Sequence, residues 1–262
     1  MTLNKKIHLT FMFIILTCIS YIFCKKKLEF PKNLNLLELK NYKYVIFDGC
    51  KTFWEKSLYD LLYSYQKKRG LSWSDYIKLT KFGLSYLLGT LDIKKAYEEF
   101  LIHCKGINKK DAITISSKVW QDECKNFIYQ DAKKIFDFCK KNKIITILTE
   151  AGFEEFYLDF LKTYTFDYIC TSKIKYKDEK ISGQLEGMPC SGHEKTIQIK
   201  KIIEDKLKGS LKEAVFFANS HNDIDLLNLV GKPIAVNPDN KLKKYASSKK
   251  WEILKFNKIH KI

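Results

Sequence analysis

The sequence predicts an α/β fold: a parallel sheet interleaved with helices, interrupted near its start by a helical insert and preceded by a membrane-spanning helix. Three observations carry this reading. Short apolar runs alternate with helical patterns from residue 130 to the C-terminus. Residues 55–129 repeat apolar residues at helical spacing with no strand pattern between them. Residues 7–24, IHLTFMFIILTCISYIFC, carry no formal charge apart from His8.

Taken in order, residues 1–27 read as a membrane anchor. A span needs ~20 apolar residues, and this run lies near the lower limit. Lys5 and Lys6 precede it and Lys25, Lys26 and Lys27 follow, so flanking charge leaves its orientation open. A cleaved signal peptide is the competing reading, but no small-x-small site stands before the lysines. Residues 28–42, with Pro31 and several Asn, read as a linker. An apolar run then ends on an acid at Asp48 and forms the first strand, 43–48.

The insert follows. Four stretches between 55 and 129 have helical periodicity, and Gly70, Gly89 and Gly106 are plausible stops. These helices look like a separate helical insert. A helix at 131–141 then leads into strand 144–149, and a helix at 153–163 into DYICTS. KISGQLEG reads as one arm of a short hairpin. A helix at 194–207 precedes strand 213–218, and a helix at 222–230 precedes strand 233–236. A last helix at 240–247 precedes WEIL. Apolar strands joined by helices imply a parallel sheet covered on both faces. Ligands of such sheets bind beyond the carboxyl ends of the strands. Asp48, Thr149 and Asn219 all fall there.

Composition narrows the function classes. The chain has 262 residues, 45% apolar, with a formal net charge of +17. A basic balance favours phosphates, nucleic acids or anionic lipid. The joint richness in Lys, Ile, Asn, Tyr and Phe also fits a compositional bias with no dedicated polyanion site. Arg69 is the sole Arg. Bidentate Arg is the commonest base-specific contact, so no nucleic-acid partner is expected. Eight cysteines are scattered, with no CxxC and no metal-like spacing. That pattern is no disulfide framework, and it places the folded part in a reducing, cytoplasmic compartment.

Singly, the polar residues at the strand ends have dull explanations: Asp48 a turn residue, Lys195 of GHEK a solvated helix residue, Asp223 an N-terminal helix charge. In order, with Thr52, Thr149 and the stretch ANSHNDIDLLNLVGKPIAVNPDNKL, they resemble the haloacid dehalogenase (HAD) superfamily over residues 43–254. Its phosphoserine phosphatase-like branch is the most similar, and CSGHEK also resembles the phosphatidylglycerophosphatase C group. The resemblance implies a HAD-like Rossmannoid core at 43–54 and 130–262, with 55–129 as the cap. It implies that Asp48 attacks phosphorus to form an aspartyl-phosphate. Thr149 would bond the phosphoryl oxygens, with Thr52 in the same phosphate-binding set, and Lys195 would neutralise their charge. Mg²⁺ would be held by Asp48, the carbonyl of residue 50, and the pair at Asn219 and Asp223.

Three departures accompany the resemblance. Most phosphatases of the family carry a second Asp two residues after the nucleophile, where it acts as acid and base. Here that position is Cys50, the other candidate catalytic residue. The next is Lys51 in place of the usual Gly, and Asn219 stands where an acid is usual. A thiol with pKa ~8.5 is a poor proton donor to replace a carboxyl. Two functional readings result. One is a slow, membrane-attached Mg²⁺ phosphatase or phosphotransferase acting on a small-molecule or lipid phosphate. The other is a pseudoenzyme that keeps the fold as a phosphate-binding or scaffold protein.

Overall fold

The computed structural model describes residues 34–260, except 71, 73, 75, 76, 79, 82–84, 86–91 and 258. The expected membrane segment at 7–24 lies outside the described residues, as does the first part of the linker. Among the described residues, no helix is long and apolar enough to cross a membrane.

A six-stranded sheet forms the centre. Strand β1 (Tyr44–Asp48) lies between β3 (Ile145–Phe153) and β7 (Ala214–Ala218). Outside these run β4 (Tyr168–Ser172) on one side, and β8 (Lys232–Val236) and β9 (Glu252–Leu254) on the other. Every pairing in this sheet is parallel. All five residues of β1 are buried, because side chains alternate across a sheet covered on both faces. Val45 and Phe47 join one apolar cluster, with Phe53, Trp54 and Phe160. Tyr44 and Ile46 join the other, with Ile147, Phe216, Ile199 and Leu226.

Three helices of the insert are described at length: α1 (Leu58–Arg69), α2 (Ile93–His103) and α3 (Lys109–Glu123). Each starts at a polar cap. Ser57 and Asp60 form a reciprocal capping box, and the side chains of Asp92 and Asn108 accept from the third residue of their helices. Their apolar faces do not close on themselves. Leu61, Leu101 and Trp120 enter the cluster that holds Phe47 and Phe53.

Several boundaries differ from the sequence reading. Residues 36–41 of the expected linker fold as a 3-10 helix capped by Asn35, because Leu39 is fully buried. Within the stretch read as wholly helical, β2 (Ile128–Tyr129) pairs with β10 (Ile259–His260). Helix α4 (Gln130–Lys141) leads into strand β3, which continues to Phe153, with its register shifting between Glu150 and Phe153. The helix expected at 153–163 therefore begins later, as a 3-10 turn and then α5 (Leu158–Thr163). The expected hairpin is β5 (Ile174–Lys177) with β6 (Lys180–Leu185). Helix α6 (Gly192–Lys200) passes into a π-helical turn at Lys201–Lys206. Helix α7 (Ile224–Leu229) is preceded by a 3-10 turn, and α8 (Asn240–Ser248) is capped by Asp239.

Candidate active site

Asp48 is the last residue of β1, and its register partner on β3 is Thr149. β1 thus ends on a carboxylate beside a hydroxyl of its neighbour β3, which runs on to Phe153. Lys195 sits in the first turn of α6 and reaches across: its Nζ donates to Asp48 Oδ1 at 2.8 Å. The same ammonium lies 2.7 Å from Asp223 Oδ1, at the entrance to α7. That oxygen is buried and finds no aligned hydrogen bond, so the pair is held by charge and proximity. All three side chains are 7% exposed or less. A lysine buried this far needs paired anions, since desolvation alone would neutralise it.

The electrostatics follow from that burial. Desolvation acts to lower the Lys195 pKa, but Asp223 and Asp48 overcome it and hold the ammonium charged. Burial pushes Asp48 well above the usual carboxylate range against the pull of Lys195, and the charges of Asp223 and Glu150 push the same way. Burial likewise drives the Cys50 thiol well above its ordinary value, with Glu150 and Asp48 adding to the effect. Cys50 therefore stays a neutral thiol at physiological pH. Its side chain lies at the same strand end, but it is neither a thiolate nor a ready acid.

Glu150 was missed by the sequence reading. It immediately follows Thr149 and is 2% exposed. Its Oε2 accepts the Cys50 N–H at 2.6 Å, and its Oε1 accepts from the Gly152 N–H at 3.3 Å. A Cβ on Gly49 would stand 2.3 Å from Oε2 and 2.4 Å from the Trp54 ring, so the absent side chain at 49 makes room for this contact. Burial raises the Glu150 pKa, while Lys195 and the Cys50 N–H oppose the rise. The available signal was an acid next to Thr149, just past the apolar run read as a strand, where ligand-binding groups collect.

The remaining predicted residues separate. Thr149 Oγ1 lies 3.4 Å from Cys190 Sγ, and Cys190 Sγ lies 3.2 Å from Cys170 Sγ. Thr52 is fully buried in the turn after β1, and its Oγ1 has no hydrogen-bond partner. Its N–H bonds the Gly49 carbonyl. Lys51 takes a left-handed backbone, φ 61°, which is strained for a side chain with a Cβ and explains why glycine suits this position. Asn219 follows β7 half-buried, and its carbonyl accepts the Asp239 N–H at 2.9 Å. Its side chain makes no hydrogen bond to the Asp48–Lys195–Asp223 group.

Among the described residues, no three His, Cys, Asp or Glu side chains are arranged to hold a metal ion. The donor chemistry nonetheless fits Mg²⁺. Buried Asp48 and Asp223 share the Lys195 ammonium, and buried Glu150 feels its charge, so a further cation would compensate the excess of carboxylates. Mg²⁺ is commonly held by one or two carboxylates with retained waters and substrate phosphate.

A parallel sheet whose central strand ends on Asp48, beside Thr149 and bridged by a lysine to Asp223, defines a class of hydrolase domain. The description "haloacid dehalogenase-like hydrolase" matches residues 45–228, and the chain belongs to that family. It is 33% identical over 81 residues to a histidinol-phosphatase of Neisseria meningitidis serogroup C, covering 30% of this chain and 36% of that one. It is 34% identical over 80 residues to a phosphoserine phosphatase of Mycobacterium tuberculosis, covering 30% of this chain and 25% of that one. The chain therefore matches little more than a third of these relatives' length at most. Among solved structures, a protein of unknown function from Bordetella pertussis Tohama I superposes with TM-score 0.73 at 17% identity, covering 81% of this chain and 98% of that one. A phospho-aspartyl intermediate analogue of phosphoserine phosphatase superposes with TM-score 0.62 at 18% identity, covering 83% and 95%. These structural likenesses bear on the fold.

Proposed function

We propose that the protein is a slow, Mg²⁺-dependent phosphatase or phosphotransferase acting on a phosphomonoester through Asp48. The observation that carries this is the buried Lys195 ammonium, 2.8 Å from Asp48 and 2.7 Å from Asp223 at the carboxyl ends of the strands. Phosphoryl transfer asks mainly for a positioned nucleophile and compensated charge. A carboxylate oxygen of Asp48 forms a bond to phosphorus as the bond to the ester oxygen breaks. The departing ester oxygen takes a proton from water, and a second water then cleaves the acyl phosphate, releasing inorganic phosphate and restoring the Asp48 carboxylate. Lys195 fixes the direction of the Asp48 carboxylate and offsets charge on the transferred group. Thr149 and Thr52 offer hydroxyls to it. Mg²⁺, held by Asp48, Asp223, the amide of Asn219 and the Cys50 carbonyl, supplies the remaining positive charge when bound.

The expected slowness comes from Cys50. A neutral, buried thiol neither protonates the leaving oxygen nor activates water, and lost acid–base catalysis costs about 10²–10⁴ in rate. The substrate is a small-molecule or a lipid phosphate, the lipid reading resting on the uncharged run at 7–24. In the same reading, residues 1–27 anchor the chain, 28–42 link it, 43–54 and 130–262 form the catalytic core, and 55–129 cap it on the cytoplasmic side. Glu150, which occupies the Cys50 N–H beside Asp48, favours the second reading, a pseudoenzyme that keeps the fold as a phosphate-binding or scaffold protein. A panel of phosphomonoesters assayed with Mg²⁺, alongside Asp48→Asn, separates the two. Turnover that vanishes with Asp48→Asn supports the enzyme. No turnover on any ester supports the pseudoenzyme.

A further inference from the structure

The turn after β1 offers backbone N–H groups close in sequence to Asp48. Those of Thr52, Phe53 and Trp54 all bond the Gly49 carbonyl, at 3.2, 2.7 and 3.2 Å. The N–H of Cys50 bonds the Glu150 carboxylate, at 2.6 Å. A phosphoryl group attached to Asp48 carries further anionic oxygens that need donors in a site closed to water. Lys195 is already shared between Asp48 and Asp223. Of the four N–H groups just named, only the Cys50 N–H points away from its own turn, and an anion already holds it.

This contact is built in. Glu150 is fixed at both carboxylate oxygens, by the Cys50 and Gly152 N–H groups. Glycine at 49 leaves the space it fills, and Trp54 walls the other side of that space. A long acidic side chain with no such role would turn to solvent, because burying a carboxylate is costly.

The geometry points to Glu150 as an internal anion that self-inhibits the site: its carboxylate holds the Cys50 N–H and must withdraw before a phosphate group enters. The inference rests on the reading of the Asp48 end as a phosphate site. Glu150 acts twice against an incoming phosphate, by occupying a donor and by like-charge repulsion. Its own register-shifted segment of β3, between Glu150 and Phe153, is the element that would move.

The test uses the full-length protein and inorganic phosphate with Mg²⁺, with binding read by calorimetry. Glu150→Gln keeps the shape and removes the charge; it is expected to tighten phosphate binding by about tenfold or more, since like charges at contact distance repel strongly even under effective screening. Glu150→Ala also frees the donor and is expected to bind tighter still. A purely structural strut predicts no gain in phosphate affinity from either variant. If both fold and bind phosphate no tighter than the parent, the inference is overturned. If Ala unfolds, Gln alone decides by the same criterion. Tighter binding with no Asp48-dependent hydrolysis in any variant would sink the enzyme reading and uphold this one. Asp48-dependent hydrolysis with unchanged phosphate affinity would do the reverse.

Discussion

Replacing Lys195 with Met keeps most of the side-chain volume and removes the ammonium that Asp48 and Asp223 share. Its side chain is 5% exposed and those of its partners 7% and 2%, so water cannot take its place. Breaking a buried pair costs about 3–5 kcal/mol, and here two carboxylates lose one partner, so the upper end is expected at neutral pH. For a domain of this size each kcal/mol lowers Tm by ~2–4 °C, which gives a drop of about 10–20 °C. The pH dependence is the diagnostic part. Asp48 and Glu150 are both held above their ordinary values, by burial first. Groups with raised folded pKa contribute stability that is complete below the unfolded value, near ~4, and is lost as pH rises through the folded value. Without Lys195 that loss deepens, so the variant should be hurt far more at pH 8 than at pH 5. Urea denaturation followed by tryptophan fluorescence measures this, since Trp54 and Trp120 are buried. An equal cost at both pH values, or a cost below ~1 kcal/mol at pH 8, would refute the reasoning.

Three further outcomes are expected. Phe53 is fully buried, with ring centroids 5.1 Å from Phe160, 5.2 Å from Tyr164 and 5.4 Å from Phe47; Phe53→Ala should cost about 3–5 kcal/mol in a denaturation curve. Cys50 is held as a neutral thiol, so mass spectrometry after iodoacetamide treatment of the native protein should find it unmodified, and modified once urea is added. Cys50→Asp combined with Asn219→Asp should raise Mg²⁺-dependent hydrolysis above either single change, by something like the ~10²–10⁴ of acid–base catalysis. A double variant that folds and remains as slow as the parent would show that Lys51 or Glu150 also blocks the site.

The parallel sheet was legible because its strands are built on short apolar runs, and β1 and β7 are closed by a polar residue, at Asp48 and Asn219. Both features are local. What sequence reading lost depended on distant partners. Glu150 looks like a surface acid until its bond to Cys50, 100 residues away, is seen. Leu39 looked like linker because the core that buries it is built elsewhere in the chain. The insert helices read as a separate layer, since helical periodicity marks an apolar face without saying what it meets; Trp120 in fact stacks edge-on to Trp54, at 5.8 Å. Lys195, ordinary in GHEK, acquires its charge-pairing role only when α6 packs beside β3, β4 and α7, where its side chain reaches Asp48 and Asp223.

The central claim is that Asp48 accepts a phosphoryl group. The direct measurement is intact mass after rapid acid quench of the full-length protein with a nitrophenyl phosphate and Mg²⁺, followed by peptide mapping. Attack by Asp48 with slow hydrolysis, as Cys50 dictates, predicts an adduct of one phosphoryl group on the peptide containing Asp48, absent from Asp48→Asn. Product release with no adduct, or an adduct that persists in Asp48→Asn, would contradict it.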